Sequence, residues 1–127
     1  MIAVDTSSMV AFLGGSAGQD VDALRESLRL KQIVLPPVVL SELLSAKNIT
    51  RELSEFFKSI PCLDIFEDFW IRTGELRRSI LKIRKKARLA DSLIAQSCLD
   101  HQAPLITRDK DFQIFEEFDL KLLVHWH

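Results

Sequence analysis

Apolar positions along the chain switch between two spacings, and the switching predicts strands interleaved with helices. Ile2-Ala3-Val4 is a short apolar run ending at Asp5, after which Thr6, Ser7 or Ser8 can cap a helix running towards Phe12. Gly14, Gly15 and Gly18 mark a loop, and Asp20 can cap a second helix whose Val21, Leu24, Leu28 and Leu30 make an apolar stripe. Ile33-Val34-Leu35 reads as a strand stopped by Pro36-Pro37, and Pro37 suits the first turn of a helix through Val38 to Ala46. Asn48 or Thr50 opens another helix with Leu53, Phe56 and Phe57 facing inward. Ile60 to Phe66 forms a third strand that Pro61 confines to a strand start or an edge. From Phe69 the spacing of Trp70, Thr73, Leu76, Ile80, Ile83 and Ala87 is helical. Leu89 to His101 is a further apolar helix, Pro104 to Thr107 a short strand, Asp111 to Phe118 a short helix, and Leu120 to Val124 a final strand.

Strands alternating with helices imply right-handed crossovers. They predict an α/β fold, a three-layer α/β/α sandwich around a mainly parallel sheet. The 127 residues suit one domain spanning 1–127.

Composition narrows the class. With 47% hydrophobic and 28% charged residues, the chain is neither a disordered tail, a collagen-like fibre nor a disulfide-dense miniprotein. No apolar run reaches the length of a membrane-spanning helix, and the opening residues lack the basic start of a secretory signal. A cytoplasmic protein with no membrane partner is expected. Cys62 and Cys98 then read as reduced thiols filling the core, and the phenylalanines and Trp70 as core as well.

The net charge of −1 hides an uneven distribution. Arg77, Arg78, Lys82, Arg84, Lys85, Lys86 and Arg88 fall in one stretch without an acid, leaving ten basic residues against all eighteen acids elsewhere. Such a stretch can be a solvated helix face, or it can hold a polyanionic backbone such as RNA.

Three acids stand where the interior is expected. Asp5 is the only ionisable side chain between Met1 and Gln19, Glu42 between Ile33 and Ala46, and Asp91 between Leu89 and Leu99. Burying an unpaired carboxylate costs several kcal/mol, so a distant basic group or a shared cation must compensate. Singly, Asp5 and Asp91 also fit helix caps, and Glu42 a partner for a distant arginine. In an open parallel sheet, however, ligand sites gather beyond the carboxyl ends of the strands. Asp5 closes the first strand and Asp109 follows the strand at Leu105-Ile106-Thr107, so both emerge at that edge. Glu42 and Asp91 lie on helices that can point back to it. Hard oxygen ligands without Cys or His favour Mg²⁺ or Mn²⁺, which can activate water for phosphoryl displacement. His125 and His127 lack a further ligand and stay outside this set.

Together these residues resemble a known family. Ile2-Ala3-Val4-Asp5-Thr6-Ser7, Leu40-Ser41-Glu42-Leu43-Leu44, Leu89-Ala90-Asp91-Ser92-Leu93-Ile94-Ala95 and Leu105-Ile106-Thr107-Arg108-Asp109-Lys110-Asp111-Phe112 are similar to the four signature blocks of PIN domains, particularly VapC-type toxins. The resemblance implies a PIN-like fold and a Mg²⁺- or Mn²⁺-dependent endoribonuclease cutting structured RNA such as tRNA or rRNA. It further implies a homodimer and a cognate antitoxin protein that inserts a segment into the active groove. By position, Asp5, Glu42, Asp91 and Asp109 would form the catalytic, metal-binding set. Asp111 and Thr107 would be auxiliary, and the spacing leaves open whether Asp109 or Asp111 faces the metal. Lys85-Lys86-Ala87-Arg88 stands where many relatives have a glycine. Two other readings remain: a catalytically silent PIN-like scaffold, and a Mg²⁺-binding phosphoacceptor domain. The latter expects adjacent acids after the first strand, where this chain has Thr6 and Ser7 following Asp5.

Overall fold

A computed structural model describes residues 1–123 as three parallel strands among seven helical segments, the α/β arrangement that the spacing predicts. The end of the last expected strand at Val124, with His125 and His127, lies outside the described residues. The first strand, β1 (Ile2–Val4), is central. It pairs with β2 (Ile33–Val34) through Ile2↔Ile33 and Ala3↔Val34, and with β3 (Leu105–Ile106) through Ala3↔Leu105 and Val4↔Ile106. Ala3 and Val4 are fully buried, as expected of a strand covered on both faces.

Among the described residues, two of the five expected strands shrink to single parallel bridges, Leu35↔Cys62 and Leu105↔Leu122, one at each margin of the sheet. Pro61 explains the first. It has no N–H to donate, so its carbonyl accepts from the Leu35 amide at 2.9 Å, and Leu63 donates back to the Leu35 carbonyl at 2.9 Å. Beyond Leu63 the chain turns outward, leaving Ile65 and Phe66 exposed.

The helices are α1 (Thr6–Leu13), α2 (Gln19–Arg29), α3 (Pro37–Leu44), α4 (Arg51–Ser59), α5 (Phe69–Lys82) and α6 (Leu89–His101), followed by a 3-10 helix at Lys110–Phe118. Asp5 rather than the hydroxyls after it caps α1, and Thr50 caps α4 by accepting from the Leu53 amide. The N-cap of α2 is Gly18, so Asp20 lies inside the first turn with its side chain buried. Leu30 falls past the helix end and is exposed.

The predicted fifth helix is cut short. It ends at Lys82, and the chain reverses at Arg84, which takes a left-handed conformation (φ 61°) of the kind glycine adopts without strain. Ile83 is therefore exposed, and Ala87 is buried in the junction rather than on the helix. Trp70, expected in the core, is 65% exposed because Phe69, Thr73 and Ile80 form the inward face of α5. Cys98 does fill the core, whereas Cys62 is at the surface; both are free thiols.

The core lies around β1 and β3 and reaches beneath the 3-10 helix. Phe112 and Phe115 anchor that helix, 1% and 0% exposed with ring centroids 5.9 Å apart. Phe112→Ala should lower stability by about 3–5 kcal/mol, the cost of emptying a packed aromatic site. Urea unfolding monitored by circular dichroism measures it.

Candidate metal centre

Both strand ends that the topology places side by side deliver functional groups to one edge. Asp5 directly follows β1, and its amide donates to the Ile106 carbonyl at 3.1 Å and so ties the two exits together. The Asp5 carboxylate is 3% exposed and fully engaged. It accepts from the Ser8 amide at 3.1 Å, from the Ser7 hydroxyl at 2.9 Å and from the Thr107 hydroxyl at 2.6 Å. Thr107 Oγ1 in turn accepts from the Asp109 amide at 3.0 Å. One hydroxyl thus sets the spacing between the first and last acidic blocks.

Three carboxylates meet at this edge. Asp91, Asp109 and Asp111 each offer an oxygen, and these oxygens lie within 4.8 Å of one another. Asp91 comes from the first turn of α6, where it is not the N-cap; that position belongs to Arg88. Asp109 caps the 3-10 helix by accepting from the Asp111 amide at 2.9 Å, and this turn brings Asp111 alongside. Both acids of the last block therefore stand beside Asp91.

Electrostatics follow from the crowding. Burial and the neighbouring Asp109 push the Asp91 carboxyl up from 3.8 to about 6, with Asp111 and Asp5 adding to the rise and Arg88 opposing it. Burial also raises Asp5, although its Thr107, Ser8 and Ser7 hydrogen bonds work the other way. Asp111 goes down, because Lys86 and Arg88 hold its charged form. A divalent ion would relieve the same repulsion, and an all-oxygen donor set with no sulfur or imidazole suits Mg²⁺ or Mn²⁺.

Glu42 differs from the other expected acids. It is exposed on α3, where Val39 and Leu43 take the buried positions, so it is not the buried orphan that its apolar neighbours suggested. Its Oε1 accepts from the Thr6 hydroxyl at 2.9 Å, which keeps it next to the start of α1 but outside the three-carboxylate group.

The basic stretch divides. Lys86 and Arg88 reach Asp111 at 3.0 and 2.6 Å. Arg77 donates to the Ala87 carbonyl at 2.8 Å and so props the junction. Arg78, Lys82, Arg84 and Lys85 are exposed.

A second polar network escapes the sequence pattern. Arg108, between Thr107 and Asp109, binds Asp20 at 2.8 and 3.1 Å and the Ala17 carbonyl at 3.1 Å. Ser8 donates to Asp20 at 2.8 Å. Burial disfavours the Asp20 charge, but Arg108 and Ser8 outweigh it and the carboxyl lies below its usual value. Gly18 makes room: a Cβ there would stand 2.5 Å from Asp20 Oδ1 and 3.0 Å from Arg108 Nη2, on backbone at φ 151°. The available signal was register, since Asp20 shares its helix face with the buried Leu24 and Ser27.

Parallel strands in the order β2-β1-β3 with acids at their carboxyl edge define a class of small α/β proteins that gather carboxylates there. The PIN domain model matches residues 2–117, and the chain belongs to the PIN domain family. Solved structures share the fold. FitAcB from Neisseria gonorrhoeae superposes with a TM-score of 0.71 at 22% identity, covering 100% of this chain and 99% of that one. VapBC2 from Rickettsia felis, bound to a DNA fragment from its promoter, gives 0.71 at 20% identity over 96% and 97% of the two chains. VapBC-5 from Mycobacterium tuberculosis, a member of the VapBC family of toxin-antitoxin systems, gives 0.60 at 21% over 91% and 90%. No curated protein matches the chain.

The raised Asp91 has a consequence for stability. A carboxyl raised on folding contributes stability that is fully present below about pH 4 and lost as pH rises through about 6. In EDTA at pH 7, Asp91→Asn should therefore be more stable than the parent by about 1 kcal/mol, a figure discounted for partial exposure. The margin should vanish towards pH 4, where the parent is already neutral at this site. Thermal melts across that range check both statements.

Proposed function

We propose that the chain is a Mg²⁺- or Mn²⁺-dependent endoribonuclease, the toxin of a toxin–antitoxin pair, acting on structured RNA such as tRNA or rRNA. The observation that carries this reading is the convergence of the Asp91, Asp109 and Asp111 oxygens within 4.8 Å at the edge where Asp5 is buried. Membership of the PIN family and a shared fold with toxin–antitoxin proteins support it.

In this reading Asp91, Asp109 and Asp111 hold the ion. Asp5 supplies further negative charge from below, fixed in one orientation by Ser7, Ser8 and Thr107. Glu42, held by the Thr6 hydroxyl, completes the acidic set from the α3 side. The bound ion supplies the positive charge that acidifies water and offsets charge developing on a phosphodiester. With its carboxyl at about 6 in the free protein, Asp91 gives up a bound proton in part of the population when a cation arrives. A homodimer, with a cognate antitoxin on each protomer, is the proposed assembly.

Asp91→Asn should reduce Mn²⁺-dependent RNA cleavage by about a hundredfold or more while leaving the circular dichroism spectrum unchanged. Titration calorimetry with Mn²⁺ should show heat with the parent and little with the variant. Undiminished cleavage by Asp91→Asn, or no Mn²⁺ binding by the parent, overturns the proposal. Sequencing RNA ends after brief expression in cells, with Asp5→Asn as control, identifies the substrate.

A further inference from the structure

A second role for the acidic margin, which rests on the nuclease reading, lies in how the free protein prepares for a nucleic-acid backbone. Lys86 and Arg88 converge on a single oxygen, Asp111 Oδ2, at 3.0 and 2.6 Å. That carboxylate also belongs to the acidic trio. Two cations on one anionic oxygen at the margin of a candidate phosphodiester site is the arrangement a phosphate oxygen would receive.

The backbone beneath the pair is held by hydrogen bonds, whereas the charged heads are exposed. Arg77 holds the Ala87 carbonyl, and the Ser92 amide and hydroxyl donate to the Arg88 carbonyl at 3.0 and 2.9 Å. The Lys86 and Arg88 side chains are 62% and 56% exposed. Ion pairs at such exposure are weak, so exchanging one anion for another costs little. Asp111 also lines a shallow depression of about 330 Å³ together with Lys85, Lys86 and Lys110. A strand leaving the acidic edge across this depression would meet further positive charge.

We propose that Asp111 is a place-holder for a backbone phosphate. In the free protein it keeps Lys86 and Arg88 poised at the edge of the trio. When RNA binds, both cations pass to the phosphodiester next to the site and Asp111 is released towards Asp91 and Asp109. This narrows the seven-residue basic stretch to two principal phosphate-binding side chains and adds Lys110, outside that stretch, as a secondary one.

A binding cycle in EDTA tests the exchange without cleavage. A short fluorescein-labelled single-stranded RNA is titrated by anisotropy against the parent, Asp111→Asn, the pair Lys86→Met with Arg88→Met, and all three changes together. Glu117→Gln, in the same depression, serves as a charge control. The paired substitution should weaken binding and reduce the salt slope by about 0.7, the value for one single-strand phosphate that is no longer neutralised. Asp111→Asn should tighten binding by about two- to fivefold, the range expected for releasing exposed ion pairs. That gain should disappear when Lys86 and Arg88 are methionine and should exceed the effect of Glu117→Gln.

An equal gain from Asp111→Asn with or without the two cations overturns the place-holder role, as does unweakened binding by the paired variant. DNA of the same sequence should show the same coupling; coupling confined to RNA would assign the cations to the ribose hydroxyl and overturn the phosphate assignment. Because the cycle contains no metal, its failure leaves the cleavage test standing. Loss of the nuclease reading, in turn, would appear as intact coupling without cleavage.

Discussion

A carboxylate at the end of the central strand constrains the rest of this molecule. Asp5 must be dry, because β1 is covered on both faces, and it must still be solvated by something. The protein answers with the Ser7 and Ser8 donors from α1 and the Thr107 hydroxyl from the far end of the chain. Through those bonds the strand order, the start of the first helix and the position of the last acidic block become one problem with one solution. Asp109 then has its place because its amide donates to the same hydroxyl, and Asp111 because its amide caps back onto Asp109.

The acidic edge is strained electrostatically and relieved in two ways. Asp111 is offset by Lys86 and Arg88, whereas Asp91 has a raised carboxyl and only partial help from Arg88. Relief is therefore greatest at the outer acid and least at the inner one. Away from the edge, Asp20 shows the contrasting outcome: its buried charge is met by Arg108 and Ser8, and its carboxyl lies low. Two acids in the first turns of different helices thus titrate in opposite directions, for reasons visible in their partners.

Much of this is legible in the sequence, and what is not has identifiable causes. α6 has its predicted bounds because Leu89 to His101 is a long apolar segment between a basic run and a chain reversal at Gln102. Strands of two residues have no periodicity to read, so Cys62 and Leu122 could only be placed as bridges once their neighbours were known. Glu42 misleads because α3 is apolar on nearly every side, and hydrophobic neighbours in sequence do not say which face is inside. Asp20 is the opposite case. Its position suggests a helix cap, but Gly18 is the N-cap of α2, and Arg108, its partner 88 residues away, leaves no trace in local pattern. The parallel topology brings Asp5 and Asp109 to one edge, although Asp5 is buried there outside the Asp91, Asp109 and Asp111 trio, and the pairing of Asp111 with Lys86 and Arg88 depends on the left-handed turn at Arg84 that ends α5 early.

The ties that assemble the edge span most of the chain: 102 residues separate Thr107 from Asp5, and 88 separate Arg108 from Asp20. Bonds of that range form late, since they wait on closure of the intervening chain. A polypeptide emerging from the ribosome has its first acid in place long before its last, and no complete edge exists until the final block has docked. On the proposed reading, a copy cut short before Thr107 and Asp109 would lack the assembled edge and be inert.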